Sequence, residues 1–370
     1  MTVAIVHDFL TQRGGAERVV LHIASQVEDP VIVTSMYAPS STFPEFRKLP
    51  VWADQIVSDA DAAKFRRRAF SYGKQFRAKD LSFADEVIIS TSTAAHHVDA
   101  EDALVYWYTP PRFLYDPGAY FSNPAVAKGF ELATTTFRHQ DRKAARAHRK
   151  HLAVSARTAG RLRHAYGIEA DVLYPPFDSG RFAGSVEAHT GPPSALVVSR
   201  LLPYKRVDIA VQACAHAGIP LTIIGRGPDE ERLRSMAPDL VTFAGSVSDD
   251  ELIDAYDKHS MVLVPGIEDF GYIPLEAASR GRPVVATREG GPAETVIDGS
   301  TGFLVSGADP STWGAALSRV CETDWDVTTM RRSAARFDAR HFDDGVRRGL
   351  LGSARRNGHD GPHLGLAQAS

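Results

Sequence analysis

Apolar residues along this chain fall into short unbroken runs that alternate with longer stretches in which they recur every three or four positions. The runs are short enough for strands buried on both faces, and the stretches between them have the period of helices packed on one face. In the first half the pattern predicts strands at 2–6, 31–33, 85–90, 104–107, 152–155 and 171–174. A helix carries Val19, Val20 and Ile23, and a basic helix spans 138–150. In the second half it predicts strands at 194–199, 221–224, 241–243, 261–264, 284–286 and 302–305. Helices lie between them, starting at Tyr204, around Glu230, over 249–257 and at Pro274. Strand–helix alternation in two series predicts an α/β protein of two Rossmann-like, doubly wound parallel-sheet domains with a cleft between them. The double proline Pro175-Pro176 marks the linker, giving lobes at 1–176 and 177–340. Helices at about 341–356 are expected to return to the first lobe, and the Gly-, His- and Pro-rich end, 357–370, to be disordered.

Composition narrows the function classes. A chain of 370 residues is too long for one ordinary core, and 44% hydrophobic with 24% charged residues is the make-up of a soluble globular protein. The net charge of -3 gives no general attraction to nucleic acid, and none is expected as a partner. Cys214 and Cys321 stand apart from each other and from any His cluster, so neither a disulfide framework nor a zinc site is expected. No apolar run has the length of a membrane span, and the expected setting is cytoplasmic. The stretch 64–79 is rich in Lys and Arg, has no acid, and interleaves Phe and Tyr. It fits an anionic membrane surface on the inner face, approached from the side, and equally a solvated helix face.

The candidate chemistry sits where predicted strands give way to loops. Gly14-Gly15 follows the first strand and opens a helix, a place where backbone can approach an anion. Tyr108, Thr109 and Arg112 leave another strand at its carboxyl edge and are expected to line the cleft. Arg200 and Lys205, five apart after the first strand of the second lobe, suit a diphosphate that can leave without a metal. Gly225-Arg226-Gly227 lacks the third glycine of a dinucleotide fingerprint, since Glu230 stands there, and reads as a nucleotide-side loop. Glu268 and Glu276, eight apart, flank a loop that turns into a helix near Pro274, with Glu276 expected in the first turn. Asp324-Trp325-Asp326 spells the Asp-x-Asp of metal-dependent transferases but falls among late helices, so no metal site is expected.

Taken together, Gly14-Gly15-Ala16-Glu17-Arg18-Val19, Ser199-Arg200-Leu201-Leu202-Pro203-Tyr204-Lys205-Arg206, Gly225-Arg226-Gly227-Pro228, Gly245-Ser246-Val247-Ser248-Asp249, Glu268-Asp269-Phe270-Gly271, Glu276-Ala277 and Gly290-Gly291-Pro292-Ala293-Glu294-Thr295-Val296 resemble, in order and spacing, the retaining GT-B glycosyltransferases of family 4, which include bacterial mannosyltransferases. The likeness covers nearly the whole chain. It implies a nucleotide diphosphate sugar as donor substrate and no further cofactor. Arg200 and Lys205 would hold the diphosphate and Glu276 the ribose. Glu268 with the amides of Phe270 and Gly271 would hold the sugar, and Arg226 and Val247 would lie near the base. Gly14 and Gly15 would approach from the other lobe, and Asp8, Tyr108 and Arg112 would form the acceptor or sugar pocket. The acceptor would be a glycan, a glycolipid or a small molecule. The chain departs from the family at Tyr108, where relatives carry His, and at Tyr272, where a small aliphatic is common. Two other readings remain open, a nucleotide-sugar binding protein without catalysis and an epimerase- or phosphorylase-like enzyme of the same fold.

Overall fold

The computed structural model describes residues 1–58, 69–116, 124–182, 184, 186 and 189–351. Seven strands form the first sheet: β1 Thr2–His7, β2 Asp29–Tyr37, β3 Val51–Ile56, β4 Glu86–Thr91, β5 Leu104–Trp107, β6 Lys150–Ala153 and β7 Asp171–Val172. Six form the second: β8 Ala195–Val198, β9 Leu221–Ile224, β10 Val241–Gly245, β11 Met261–Val264, β12 Val284–Thr287 and β13 Gly302–Val305. Their spatial orders are β3-β2-β1-β4-β5-β6-β7 and β10-β9-β8-β11-β12-β13. Each order runs outward in both directions from its first strand, so each sheet has a switch point, at β1/β4 and at β8/β11. The candidate residues lie on segments leaving the carboxyl ends of β1, β5, β8, β9, β10 and β11.

The central strands are largely apolar because both faces are covered. In β1, Val3 and Ile5 join one core while Ala4 and Val6 join the other, and β8 divides the same way between Leu196 and Val197. One core is shared by the two lobes, running through Phe177, Phe270, Leu275, Phe337 and Phe342. The chain crosses between lobes twice at one place. Phe177 pairs with Asp338, Phe177 N donates to Phe337 O at 3.1 Å, and Ala339 N donates to Phe177 O at 3.2 Å. The helix Ala339–Leu351 then lies on the first lobe, with the Phe342 ring edge-on to Tyr106 and Asp343 bonded to His22 at 2.6 Å.

Three local expectations are corrected. Strand β3 is absent from the sequence pattern, because only the edge of a sheet tolerates its alternation of Trp52, Asp54 and Ile56 on an open face. The basic helix expected over 138–150 is Thr135–Ala145, and Lys150 already belongs to β6. Of the basic stretch, 64–68 lie outside the described residues, and the described part opens with the helix Ala69–Arg77. Tyr72 and Phe76 are buried core residues, and Lys79 is tied to Asp54 at 2.8 Å and to the Thr34 carbonyl at 3.1 Å. Tyr72 and Phe76 of that stretch therefore face the protein interior. The tail 357–370 also lies outside the described residues.

Behind β4 and β5 the first lobe buries a histidine cluster. Asp141 accepts from His96 at 2.9 Å, His97 at 3.2 Å and Tyr166 at 2.8 Å, while Arg77 donates to His97 Nδ1 at 3.2 Å. Burial lowers the pKa of His97 and His148 and pushes His151 down to about 4. The folded chain thus holds these rings neutral where the unfolded chain, at the ordinary value of 6.5, takes up protons. Their contribution is complete above pH 6.5 and is lost as pH falls through the folded values toward about 4. The melting temperature should drop steeply between pH 7 and pH 5, and a flat profile there would contradict the burial.

Candidate functional site

The site is built from backbone contacts first. Gly225 has φ +128°, and a Cβ there would sit 1.8 Å from the Ser199 carbonyl oxygen; one at Gly227 would sit 2.1 Å from that of Leu201. These glycines let the 225–227 loop lie directly on the loop after β8, where Leu201 N donates to Arg226 O at 2.9 Å. Their job is backbone packing, and Arg226 between them is exposed. Gly225 N also donates to Gly245 O at 2.7 Å, which brings Arg226 and half-buried Val247 to the same sheet edge. The next residues form a tight 3-10 turn, Pro203–Lys205, ended by Arg206 at φ +50°, the one non-glycine residue with positive φ among those described. The backbone of Gly266 presses on Lys205, since a Cβ at Gly266 would fall 2.8 Å from Lys205 Cα. This approach sets Glu268 Oε1 2.7 Å from Lys205 Nζ.

The loop 266–271 is braced from the other side by the Gly290-Gly291 turn. A Cβ at Gly291 would lie 2.3 Å from the Phe270 carbonyl oxygen, and Gly291 N donates to Glu268 O at 2.8 Å. Phe270 is buried among Tyr174, Tyr272 and Phe337. The following helix is Tyr272–Ser279 with Gly271 at its N-cap, so the Phe270 and Gly271 amides stand at a helix start. The helix begins two residues before Pro274, which corrects the expectation for Glu276: it is the fifth helical residue, in the second turn. Its half-buried carboxylate accepts the Tyr256 hydroxyl at 2.7 Å, and burial raises its pKa.

The first lobe meets this loop across the cleft. Arg200 Nη1 donates to Gln12 Oε1 at 3.0 Å, and a Cβ at Gly15 would lie 3.2 Å from the Tyr272 ring. Gly14 caps the helix Gly15–Ser25, its N–H bonded at 3.1 Å to buried Glu17, whose pKa burial raises. Tyr272, where the resemblance implies a small aliphatic, spans to the linker and donates to Pro176 O at 3.3 Å. Arg112 Nη2 is 2.5 Å from Asp269 Oδ2, and Arg161 Nη1 is 3.3 Å from Asp269 Oδ1. The Arg112 guanidinium and the Lys205 ammonium both lie over the Tyr204 ring, at 5.4 and 5.5 Å from its centroid. Arg112, Arg200, Lys205, Glu268, Gly14 and Gly15 therefore converge on the cleft. Arg161, Asp269, Gln12 and Tyr204 join them without having been singled out for any role. Only the position of Asp269 beside Glu268 could have hinted at them.

Two expected pocket residues turn inward. Asp8 is buried, and its carboxylate accepts four backbone N–H groups, from Ser92 at 2.6 Å, Thr93 at 2.9 Å, Ala94 at 2.7 Å and Ala95 at 2.8 Å. It anchors the loop after β4 and has no oxygen left for a sugar. Tyr108 turns its hydroxyl to Ser90 Oγ at 3.0 Å and the Ala16 carbonyl at 3.1 Å, bracing the glycine loop, and burial raises its pKa. Asp326 of the Asp-x-Asp accepts from Thr328 N and Thr329 N, capping a helix. Among the described residues the one group able to gather on a metal ion is His96, His97 and Asp141, in the first-lobe core with its polar atoms already bonded to one another.

Two doubly wound sheets facing each other across a cleft, with the candidate residues at its mouth, define a GT-B fold. The fold is that of Anabaena Alr3699/HepE solved with UDP, matched at TM-score 0.71 and 17% identity over 95% of this chain and 100% of that one. It is also that of the lipopolysaccharide outer core galactosyltransferase WaaB, at TM-score 0.65 and 16% identity over 95% and 100%. Residues 181–337 match the model of the family Glycosyl transferases group 1. It is 34% identical over 206 residues to a D-inositol 3-phosphate glycosyltransferase of Acidothermus cellulolyticus, covering 50% of this chain and 46% of the relative. It is also 34% identical over 185 residues to a GDP-mannose-dependent alpha-(1-6)-phosphatidylinositol monomannoside mannosyltransferase of Mycolicibacterium smegmatis, covering 42% and 48%. The chain thus spans about half the length of these curated relatives.

The bonds made by Tyr108 give it a bracing role with a measurable signature. Tyr108→Phe should cost about 1 kcal/mol of stability by removing the phenol's hydrogen bonds, and should leave kcat/KM unchanged. Melting temperature and kinetics on the same samples check this. A fall in kcat/KM with unaltered melting would return the phenol to the substrate pocket.

Proposed function

We propose that this protein is a glycosyltransferase that moves a hexose from a nucleotide diphosphate sugar to a hydroxyl of a glycan, glycolipid or small-molecule acceptor. GDP-mannose is the first donor and a UDP-hexose the second, with the anomeric configuration retained. The observation that carries the reading is the cleft cluster itself. Lys205 and Glu268 are held in contact by the Gly266 backbone, and Arg200, after the same strand as Lys205, bonds Gln12 of the other lobe, whose Gly15 lies against the Tyr272 ring. The group 1 match over 181–337 and the mannosyltransferase likeness support the donor class.

In this reading the diphosphate lies against Arg200 and Lys205, and the sugar against Glu268 and the Phe270 and Gly271 amides. The bond from the anomeric carbon to the phosphate oxygen breaks while the acceptor oxygen bonds to that carbon from the same face. The acceptor proton passes to the departing phosphate, so no protein nucleophile is needed. The chain's largest contribution is then charge stabilisation of the leaving diphosphate by two fixed cations in a closed, water-poor cleft. Those cations do the work a metal does in other transferases, so turnover is expected without one. Glu276, on the helix that follows the sugar-side amides, takes the ribose hydroxyls. Two free cysteines, Cys214 buried and Cys321 exposed, support a cytoplasmic setting. Among the described residues no helix is long and apolar enough to cross a membrane. A peripheral contact with an anionic surface is proposed through 64–79, of which 64–68 lie outside the described residues.

A screen of nucleotide sugars, reading donor hydrolysis and transfer, tests the class. Lys205→Ala and Arg200→Ala should each lower kcat by about a hundredfold, as expected for loss of one group stabilising developing charge, with activity surviving a chelator. Near wild-type turnover in both variants would remove the proposed donor site.

A further inference from the structure

The helix Ala156–Tyr166 belongs to the first lobe, between β6 and β7, yet its first turn is completed by the second. Thr158 N is capped within the lobe by Ser155 Oγ at 3.1 Å. The two N–H groups before it, on Ala156 and Arg157, donate instead to Glu294 Oε2 at 2.8 Å and Oε1 at 2.9 Å. A helix start leaves such groups without an internal partner and favours a negative charge beside them. One turn further along the same helix, Arg161 shares Asp269 with Arg112. Tyr174, just before the linker, also donates to Glu294 at 3.2 Å. Both acids come from the second lobe, and neither sits at random there. Asp269 lies between Glu268 and Phe270 in the loop that places the sugar-side groups. Glu294 lies on the Pro292–Thr295 turn, whose Gly291 backbone braces that loop.

We propose that Asp269 and Glu294 are positioning residues that clasp the first-lobe helix and thereby hold the donor loop 268–271 in its binding geometry only when the lobes are closed. This rests on the reading of Lys205 and Glu268 as the donor site. When the lobes part, Glu294 leaves the Ala156 and Arg157 amides and Asp269 leaves its two arginines. The loop then loses its only charged contacts with the first lobe among those described, while Glu268 stays bonded to Lys205 within the second. Donor affinity is thereby coupled to closure. A ligand that needs the closed state binds more weakly by the fraction of molecules that are closed.

Two arms on the full-length chain test this. Small-angle scattering of the ligand-free protein should give a larger radius of gyration for Asp269→Asn/Glu294→Gln than for wild type, and wild type in about 1 M salt should move toward the variant as the ion pairs are screened. Calorimetric titration with GDP and with UDP should show affinity for whichever nucleotide wild type binds falling by about tenfold, as for a closed fraction reduced to about a tenth. Arg112→Gln/Arg161→Gln removes the arginine half of the clasp from the first lobe. It should reproduce both effects in the same direction, and it decides the matter if the first variant fails to melt cooperatively. Unchanged scattering in both variants overturns the clasp. Expanded scattering with unchanged nucleotide affinity overturns the positioning role. If wild type binds neither nucleotide the donor reading fails, and the scattering arm still decides whether the clasp exists.

Discussion

The site depends on backbone meeting backbone. Three loops at the carboxyl edge of the second sheet, 199–205, 225–227 and 266–271, together with the Gly290-Gly291 turn, approach so closely that Gly225, Gly227, Gly266 and Gly291 have no room for a Cβ. Such contacts are stiffer than side-chain contacts because no rotamer can relieve them. They fix where Arg200, Lys205 and Glu268 emerge, and the side chains then need little freedom to find one another. Glycine here does two things that look alike in a sequence. Gly225 and Gly227 admit a neighbouring strand end, whereas Gly14 is the cap of a helix and donates its N–H to buried Glu17.

Charge is arranged on this frame as alternation across the cleft. Glu268 and Asp269 are neighbours in the chain but turn to different lobes, one to Lys205 and the other to Arg112 and Arg161. All of these groups are only partly buried, so each pair exchanges water for a partner at modest net gain, and an incoming phosphate can compete for the cations. The buried ionic groups of the first lobe behave differently. Asp8 and Asp141 each use several fixed donors and serve to hold loops, which is why an acid at a strand end need not be a site residue.

The lobes share one apolar core through Phe177, Phe270 and Phe337, and the chain crosses between them at a single pair of adjacent segments. A joint of that kind allows rotation while keeping the two halves registered. Tyr272 stands beside it, its ring against Gly15 and its hydroxyl on Pro176, so the residue that departs from the family's small aliphatic acts on the joint and the glycine loop together.

The order of strands and helices was legible in the sequence, since burial on both faces imposes apolar runs and one-sided packing imposes a helical period within a few residues of chain. Leu104–Trp107, Leu221–Ile224, Met261–Val264 and Gly302–Val305 are strands with the bounds their runs predict. The pattern failed at β3, where an edge position removes the burial that would have written itself into the residues. That Arg200, Lys205 and Glu268 follow strand ends was likewise legible, because the apolar runs of β8 and β11 stop just before them. Partners were not. Asp8 finds the amides of 92–95, Tyr108 finds Ala16, Arg112 finds Asp269, and Ala156 finds Glu294 across separations of 84 to 157 residues. A side chain at a strand end turns inward or toward the cleft according to which polar groups the folded chain leaves within reach, and only the tertiary structure decides that.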